Sequence, residues 1–359
     1  MKITIEPNFL LSTSQGSMPI SRALRLLLAI EASRNMKEAA ATEGHSYRHA
    51  WNLIESLQQA LGGPVLETVQ GRGSRLTELG QRLVWAEKRT RARLGPMLDS
   101  IGSEISEDME ALVSRTHRVI RMFASHGFAV AALYERLQKE GIEVDLNYRG
   151  STESLESFSR KVCDIAGFHV PIGNLEEEVF ARIAPLFTPD ARLINLATRR
   201  QGLMVAKGNP KNIWALPDLL RSDVLFVNRQ PGSGTRYILE MLFERQNIDS
   251  KRIAGYDNVE FTHAAIGAYI ASGKADVGMG VETGARRFDL DFVPILTERY
   301  FYVCNESLLT DPRLVPILEI LQSPSFRSKV DTIAGYDATN TGLVQTVAEA
   351  FPGFGVFGV

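Results

Sequence analysis

The chain has 359 residues, 44% of them hydrophobic and 23% charged, with a formal net charge of −2. This composition is typical of globular proteins and excludes a disordered chain or a coiled-coil rod, while the length predicts two or three domains. No run of eighteen uncharged apolar residues occurs and the first residues lack the order of a signal peptide, so we expect a soluble, cytoplasmic protein with no membrane partner.

Charge and cysteine content narrow the classes of function. Residues 1–100 contain 13 Lys and Arg against 9 Asp and Glu, whereas the remainder contains 27 against 33. A basic segment joined to an acidic one favours a small polyanion-binding module followed by a domain with another task. Cys163 and Cys304 cannot form a disulfide framework or a four-thiolate metal site, so we expect two reduced core residues.

The basic segment has the order of a helix-turn-helix. Apolar residues at helical spacing predict helices over 20–30, 36–42 and 46–61, with Ser21, Asn35 and Ser46 as their N-caps. Alanines in the second helix let a neighbouring helix approach closely, and Gly44 permits a tight turn before the third. The third helix is the candidate for insertion into a DNA groove.

A wing and a long helix are predicted next. Residues 65–69 alternate like a strand and lead into a flexible hairpin tip over 70–75 that carries two arginines. Thr77 is the expected cap of a helix that continues toward Leu98 and packs on another subunit. A polar, acidic linker is expected over 102–108.

DNA contacts are expected on the third helix and the wing. Arg and Asn side chains can donate paired hydrogen bonds to guanine and adenine edges in the major groove. The predicted DNA-binding residues are Ser46, Tyr47, Arg48, His49, Asn52, Arg72 and Arg75. The alternative is an ordinary solvated helix face. His45 and His49 have the spacing of a metal pair but no third ligand nearby, so we expect no metal.

The acidic part alternates strands and helices. Strands are predicted over 118–124, 142–148, 164–170, 203–205, 224–227 and 275–279, and helices over 128–139, 151–158, 237–245 and 262–272. This alternation predicts a parallel, doubly wound arrangement, and its restart after Leu193 favours two α/β lobes over one large sheet.

The segment from Arg229 to Arg236 is the sharpest local signal of this part. It follows a predicted strand and opens a helix, so free N–H groups, hydroxyls and two guanidinium groups surround the positive end of that helix. Such a loop favours an anion; the alternative is a plain Gly-rich turn. The order of residues is neither that of a Walker loop nor that of a nucleophile elbow.

Other strand–helix junctions carry compatible groups. The predicted ligand-binding residues are Ser125, His126, Ser151, Thr152, His169, Arg229, Ser233, Gly234, Thr235, Arg236, Thr262 and His263. Ser125 and Ser151 could instead be plain N-caps, and His169 and His263 could be structural. No grouping of nucleophile and base, and no metal set, is recognisable, so binding is expected rather than catalysis.

Two family resemblances follow from these motifs. Residues 18–100 resemble the winged-helix DNA-binding domain of the molybdate-responsive regulator ModE, which is itself similar in plan to LysR-type regulators. This resemblance is carried by Tyr47–Ile54 and Leu76–Gly80. Residues 118–328 are similar to the periplasmic-binding-protein-like domain of molybdenum-related bacterial proteins. The motifs that carry this resemblance are residues 168–171, 228–236, 262–263 and 271–278. This part departs from ModE, whose ligand domain is a small β-barrel.

The resemblances imply a one-component transcriptional regulator. Its expected organisation is a winged helix-turn-helix over 18–76, a linker and dimerisation helix over 77–108, and a two-lobed α/β ligand domain over 112–350. The loop at Arg229 resembles the oxyanion loop of tungstate-binding transport proteins, which implies molybdate or tungstate as effector, without any other cofactor. Expected partners are double-stranded promoter DNA and a second copy of the chain, as a homodimer or a higher homo-oligomer. The alternatives are a small carboxylate or molybdopterin-like effector, or an enzyme of molybdenum-cofactor assembly with a DNA-binding head.

Overall fold

A computed structural model describes residues 3–13, 16–69, 73–113 and 119–354. The described residues form two compact units. The smaller lies within Glu6–Gly95, and the larger comprises the residues from Pro96 onward together with the first few up to Ile5. In the described part of the chain, no helix is both long and apolar enough to cross a membrane.

The smaller unit has the element order of a winged helix-turn-helix. Its elements are β1 (Leu10–Thr13), β2 (Gly16–Pro19), α1 (Ser21–Ser33), α2 (Met36–Thr42), α3 (Tyr47–Leu61), β3 (Leu66–Val69), β4 (Gly73–Leu76) and the start of α4 (Glu78–Val113). α1 and α3 each bury one apolar stripe in a common core that includes Leu27, Ile54 and Leu57. The β1–β2 hairpin, which sequence patterning did not predict, precedes α1.

Two of the three predicted N-caps are confirmed. The Asn35 side chain accepts a hydrogen bond from the backbone N–H of Lys37 at 2.9 Å, and Ser46 Oγ accepts one from His49 at 3.2 Å. These side chains satisfy N–H groups that have no partner within the helix. They therefore fix where α2 and α3 begin.

The prediction that Ser21 is the N-cap of α1 is wrong. α1 begins one residue earlier than a Ser21 cap requires, with Ile20 in the cap position. Ser21 Oγ instead accepts a hydrogen bond from the N–H of Phe9 at 2.7 Å and donates to Asn8 at 2.8 Å. The hydroxyl thus secures the segment that leads into β1.

The wing differs from the prediction in the place of one arginine. Arg75 lies within β4, paired across the hairpin with Glu67, and not at the tip. Both residues are exposed. Arg72, the other predicted wing contact, lies outside the described residues.

Helix α4 is longer than predicted. Thr77 Oγ1 accepts the N–H of Gly80 at 3.2 Å, which agrees with the predicted start. The helix runs to Val113, so the expected linker over 102–108 is helical, because apolar residues continue the helical spacing through it. The boundary between the two units falls inside α4, at Pro96, whose ring nitrogen cannot donate to the helical hydrogen-bond ladder.

The larger unit alternates strands and helices. Its elements are β5 (Ile120–Ala124), α5 (Phe128–Lys139), β6 (Val144–Tyr148), α6 (Ser151–Ser159), β7 (Ile165–Pro171), α7 (Glu176–Ile183), β8 (Ala191–Val205), β9 (Phe226–Arg229), α8 (Gly234–Arg245), β10 (Val259–Glu260), α9 (His263–Ala271), β11 (Val277–Val281), α10 (Glu282–Arg286), β12 (Asp291–Asn305), α11 (Val315–Gln322), α12 (Pro324–Asp331), β13 (Tyr336–Asp337), β14 (Val344–Thr346) and α13 (Val347–Ala350).

The strands form a mixed sheet with the order β10-β9-β11-β8-β12-β7-β5-β6. The prediction of two lobes is confirmed, but that of an all-parallel arrangement is wrong. β5, β6 and β7 are parallel in the first lobe, and β9, β10 and β11 in the second. The long strands β8 and β12 pair antiparallel with each other, and each also pairs with a strand of one lobe. They connect the two lobes.

The long strands also divide the core. Successive side chains of a strand point to opposite faces of a sheet. Leu193 and Phe301 accordingly join one apolar cluster, while their neighbours Ile194 and Tyr302 join the cluster on the other face. Arg199, Gln201 and Glu298, in the middle of these strands, are buried although they are polar.

Candidate functional site

Polar side chains gather where the parallel strands of both lobes end. Ser151 opens α6 directly after β6, and His169 lies near the end of β7. In the second lobe, Arg229 ends β9 and His263 opens α9 after β10. Ligands of open α/β sheets bind at the carboxyl ends of strands, so these junctions are the expected place for a binding site.

Within each lobe the predicted residues are in contact. Ser151 Oγ lies 3.2 Å from Nδ1 of His169 in the first lobe. In the second lobe, Nη1 of Arg229 lies 3.3 Å from Nδ1 and 3.3 Å from Nε2 of His263. Each lobe thus contributes one imidazole and one donor group.

The two lobes also approach each other. A Cβ atom placed on Gly150, just before α6, would lie 3.9 Å from the carbonyl oxygen of Gly232 in the loop before α8. Burial and the positive charges of Arg199 and Arg229 lower the pKa of His169 well below its ordinary value. Since Arg229 belongs to the second lobe and His169 to the first, the groups of both lobes share one electrostatic environment.

Arg229 is a partly buried cation whose hydrogen bonds go to neutral groups. Its guanidinium donates to Gln230 Oε1 at 3.2 Å and to the carbonyl of Phe261 at 2.9 Å, and it faces the ring of His263. Burial, and then the nearby charge of Arg199, lower its pKa to about 10. A guanidinium in this setting favours an anionic ligand.

Three residues of the long strands complete the site, and sequence reasoning missed them. Arg199 donates through Nε to Glu298, and Gln201 Nε2 donates to the other carboxylate oxygen at 2.7 Å. Glu298 is 0% exposed. Burial alone would lower the pKa of Arg199, but the Glu298 carboxylate raises it above the ordinary value. Charged residues within otherwise apolar strands were the feature of the sequence that could have indicated a site here.

Ser125 borders the same region. The phenol of Tyr300 lies beside Ser125, and its ring packs edge-on against His169 with centroids 4.2 Å apart. Burial raises the pKa of this phenol, so it remains protonated. A Cβ on Gly127 would lie 3.7 Å from Nη1 of Arg199, which brings the β5–α5 junction close to the cationic groups.

His126 lies just before α5, and Thr152 lies on the first turn of α6. The His126 ring stacks on Tyr148 with centroids 3.8 Å apart, and its Nε2 lies 3.4 Å from Ser100 Oγ on α4. Thr152 is exposed. Ligand contact by either residue remains a prediction.

Polar side chains in the loops before α8 and α9 cap these helices. Ser233 caps α8 by accepting the N–H of Arg236 at 3.3 Å, and Thr262 caps α9 in the same way. The Arg236 guanidinium is held by Glu240 at 2.9 Å and lies over the ring of Tyr256. Gly234 and Thr235 form the first turn of α8, and Thr235 is buried. Ligand contact by these residues remains a prediction.

The predicted DNA-binding residues lie on an exposed surface. Ser46, Tyr47, Arg48, His49 and Asn52 are all exposed at the start of α3, and Tyr47 retains 52% of its accessible surface. The rings of Tyr47 and Trp51 pack edge to face at 6.3 Å. Among the described residues, no group of three or more His, Cys, Asp or Glu side chains could hold a metal ion.

Comparison with known proteins identifies one matching family profile and several similar proteins. The family profile described as PBP superfamily domain matches residues 133–322. The uncharacterized protein YvgK of Bacillus subtilis is 31% identical over 228 residues, covering 62% of this chain and 72% of YvgK. The HTH-type transcriptional regulator CbbR of Xanthobacter flavus is 28% identical over 240 residues, covering 65% of each chain. The molybdenum transport protein ModE of Azotobacter vinelandii is 26% identical over 152 residues, covering 40% of this chain and 56% of ModE.

The matched span of the family profile contains the polar residues of both lobes and the long strands that join them. It begins within α5 and ends with α11, so it includes His169, Arg199, Arg229, His263 and Glu298. With its mixed sheet and two lobes, the chain belongs to the PBP superfamily.

Proposed function

We propose that this chain is a DNA-binding transcriptional regulator controlled by a small oxyanion, and that it is not an enzyme. The observation that carries the proposal is Arg229, a partly buried guanidinium that bonds to neutral groups and lies near the polar residues of both lobes. A desolvated charge of this kind is costly unless an anion compensates it. The same chain carries a winged helix, so ligand binding and DNA binding can be coupled.

The DNA-binding role rests on α3. Arg48 and Asn52 are exposed on its N-terminal half, where recognition helices contact base edges. Arg75 on the wing can neutralise a phosphate. The names of two relatives, CbbR as an HTH-type transcriptional regulator and ModE as a molybdenum transport protein, support a regulatory role connected with molybdenum.

The effector is proposed to be molybdate or tungstate. A tetrahedral oxyanion offers no apolar surface, so its affinity must come from charge-assisted hydrogen bonds. Arg229, Ser151, His169 and His263 are the proposed partners in such bonds, and the loops that carry Gly150 and Gly232 approach each other ahead of α6 and α8. A small carboxylate or a pterin-like molecule is the competing ligand class.

Assembly as a homodimer belongs to the same proposal. Reading two DNA half-sites about one helical turn apart requires two copies of α3. α4 carries an exposed apolar stripe, made of Leu94, Met97, Ile101, Ile105 and Met109. The proposed domain limits remain 18–76 for DNA binding, 77–108 for the linker helix and 112–350 for the ligand domain.

The test measures both activities on the full chain. Binding sites are first selected from random duplexes, and affinity for the selected site is measured with and without sodium molybdate, tungstate, sulfate, acetate and a pterin. We expect molybdate or tungstate alone to bind in calorimetry and to change the affinity for DNA. Binding of only acetate or the pterin would reassign the effector.

The Arg48→Ala variant tests the DNA-binding face. We expect it to lose about 1–3 kcal/mol of discrimination between selected and unrelated duplexes, as for loss of a paired base contact. The Arg245→Ala variant, which removes an exposed arginine of α8, is the matched control. Unchanged specificity in Arg48→Ala at matched salt would contradict the role of α3.

A further inference from the structure

His169 stands at the centre of the charged groups of the site. The groups that face it come from five elements: Ser151 from α6, Arg199 from β8, Glu298 and Tyr300 from β12, Arg229 from β9 and His263 from α9. Its side chain is only 10% exposed. A change of charge in the site therefore alters the protonation free energy of this imidazole strongly, because the surrounding dielectric constant is low.

One ring nitrogen of His169 lacks a partner. Nδ1 lies 3.2 Å from Ser151 Oγ, whereas Nε2 is buried and makes no hydrogen bond with any described residue. The nearest acidic atom to Nε2 is Oε1 of Glu298, 4.0 Å away. Burial and the two arginines keep the ring neutral, since they lower its pKa well below the ordinary value. A second N–H on this ring would face a carboxylate.

The charges of the site do not balance a dianion. Glu298 opposes Arg199, and the buried Glu260 of β10 is in register with Arg229, so the formal charge of the site is at most +1 while both histidines are neutral. A dianion would leave an excess of at least one negative charge, and an unbalanced buried charge is costly. A proton on an imidazole reduces this excess. Binding of a dianion should therefore take up more protons than binding of a monocarboxylate.

We propose that the site binds its oxyanion as a dianion together with one proton, and that His169 receives this proton. This rests on the proposed function. The proton comes from the buffer and binds the lone pair of a ring nitrogen, giving an imidazolium with N–H groups toward Ser151 and Glu298. The ligand stays a dianion, and no bond in it is made or broken.

His263 is the less suitable acceptor of the proton. Both its ring nitrogens face Nη1 of Arg229 at 3.3 Å, so its neutral form can accept from the guanidinium. A protonated ring would place N–H against N–H. His169 has a carboxylate on its open side and His263 has an arginine.

The experiment is calorimetry of molybdate binding to the full chain at pH 7 in buffers of different ionisation enthalpy. We expect the wild-type chain to take up close to one proton per ligand, and its affinity to fall about tenfold per pH unit as the pH rises above 7. His169→Gln should remove the proton uptake and flatten this dependence on pH. His263→Gln should retain both.

The outcomes separate this inference from the proposed function. Molybdate binding by the wild-type chain without proton uptake overturns the inference and leaves the proposed effector in place. Proton uptake that persists in His169→Gln and vanishes in His263→Gln would show that His263 receives the proton. That result would overturn the inference. If neither molybdate nor tungstate binds, the proposed effector and this inference both fail. If His169→Gln does not fold, the wild-type pH dependence still shows whether a proton binds with the ligand, and loss of the uptake in His263→Gln would overturn the assignment to His169.

Discussion

Nη1 of Arg229 lies 3.3 Å from both ring nitrogens of His263. Burial, and then the charges of Arg229 and Arg199, lower the pKa of His263 well below its ordinary value. The ring is thus a neutral acceptor for the arginine. The contact holds Arg229 in place without neutralising it, which leaves its charge available to a ligand.

Replacing Arg229 by Gln should separate ligand binding from stability. We expect oxyanion affinity to fall by at least about tenfold, since one charge-assisted hydrogen bond contributes about 1.5–3 kcal/mol. The ligand-free melting temperature should stay the same or rise, because a partly desolvated charge is removed. Calorimetry and thermal unfolding measure the two effects. Arg245→Gln, on the exposed end of α8, is the control, and retained affinity in Arg229→Gln would show that the loop is only a turn.

Replacing Glu298 by Gln should destabilise the larger unit. The substitution leaves Arg199, which is 4% exposed, without its counter-charge, and breaking a buried pair in this way costs about 3–5 kcal/mol. Urea unfolding measures the change. Glu178→Gln, which removes an exposed pair with Arg245, should cost under about 1 kcal/mol. Equal effects of the two variants would mean that Glu298 does not hold the long strands together.

Replacing Gly80 by Ala should impair the winged helix alone. A Cβ at this position would lie 2.2 Å from the carbonyl oxygen of Val65, so the backbone must shift, at a cost of about 1–3 kcal/mol. Gly63→Ala is the matched control, because the nearest atom to its Cβ is Leu79 Cδ2 at 3.6 Å. We expect weaker DNA binding with unchanged oxyanion binding in Gly80→Ala. Loss of both activities would contradict the division into two units.

The exposed stripe of α4 predicts the oligomeric state. Charging it in the double variant Ile101→Glu, Ile105→Glu should convert a dimer to a monomer, because two buried carboxylates at an apolar interface are costly. Light scattering at micromolar concentration measures the change. Gln81→Glu, on an exposed position of the same helix, should remain dimeric. A wild-type monomer, with or without DNA, would remove the dimer from the proposal.

The winged helix could be predicted from the sequence because its signals are local. The apolar spacing of α1 and α3 and the caps at Asn35 and Ser46 act within one or two helical turns. The β1–β2 hairpin was missed because its eight residues carry no clear alternation of apolar and polar side chains. Ser21 was misplaced because its hydroxyl serves Phe9, a partner twelve residues away.

The candidate site was predictable only in part. Arg229 and His263 follow strands and open or precede helices, so topology alone brings them to one edge. Arg199 and Glu298 are 99 positions apart and meet only because β8 and β12 pair along their length. Each of these strands has fifteen residues, and polar residues in its middle interrupt the apolar pattern. Because of this interruption, neither the full length of the strands nor the ion pair between them could be predicted.

The near contact between Gly150 and Gly232 limits what position 150 can hold. A single methyl group there would just touch the opposite loop, whereas a leucine or phenylalanine would act as a wedge between the lobes. Position 232 is limited in another way, because its φ of +81° would strain any residue other than glycine. A large side chain at position 150 is therefore expected to weaken the proposed response to an effector without changing Arg229 or α3.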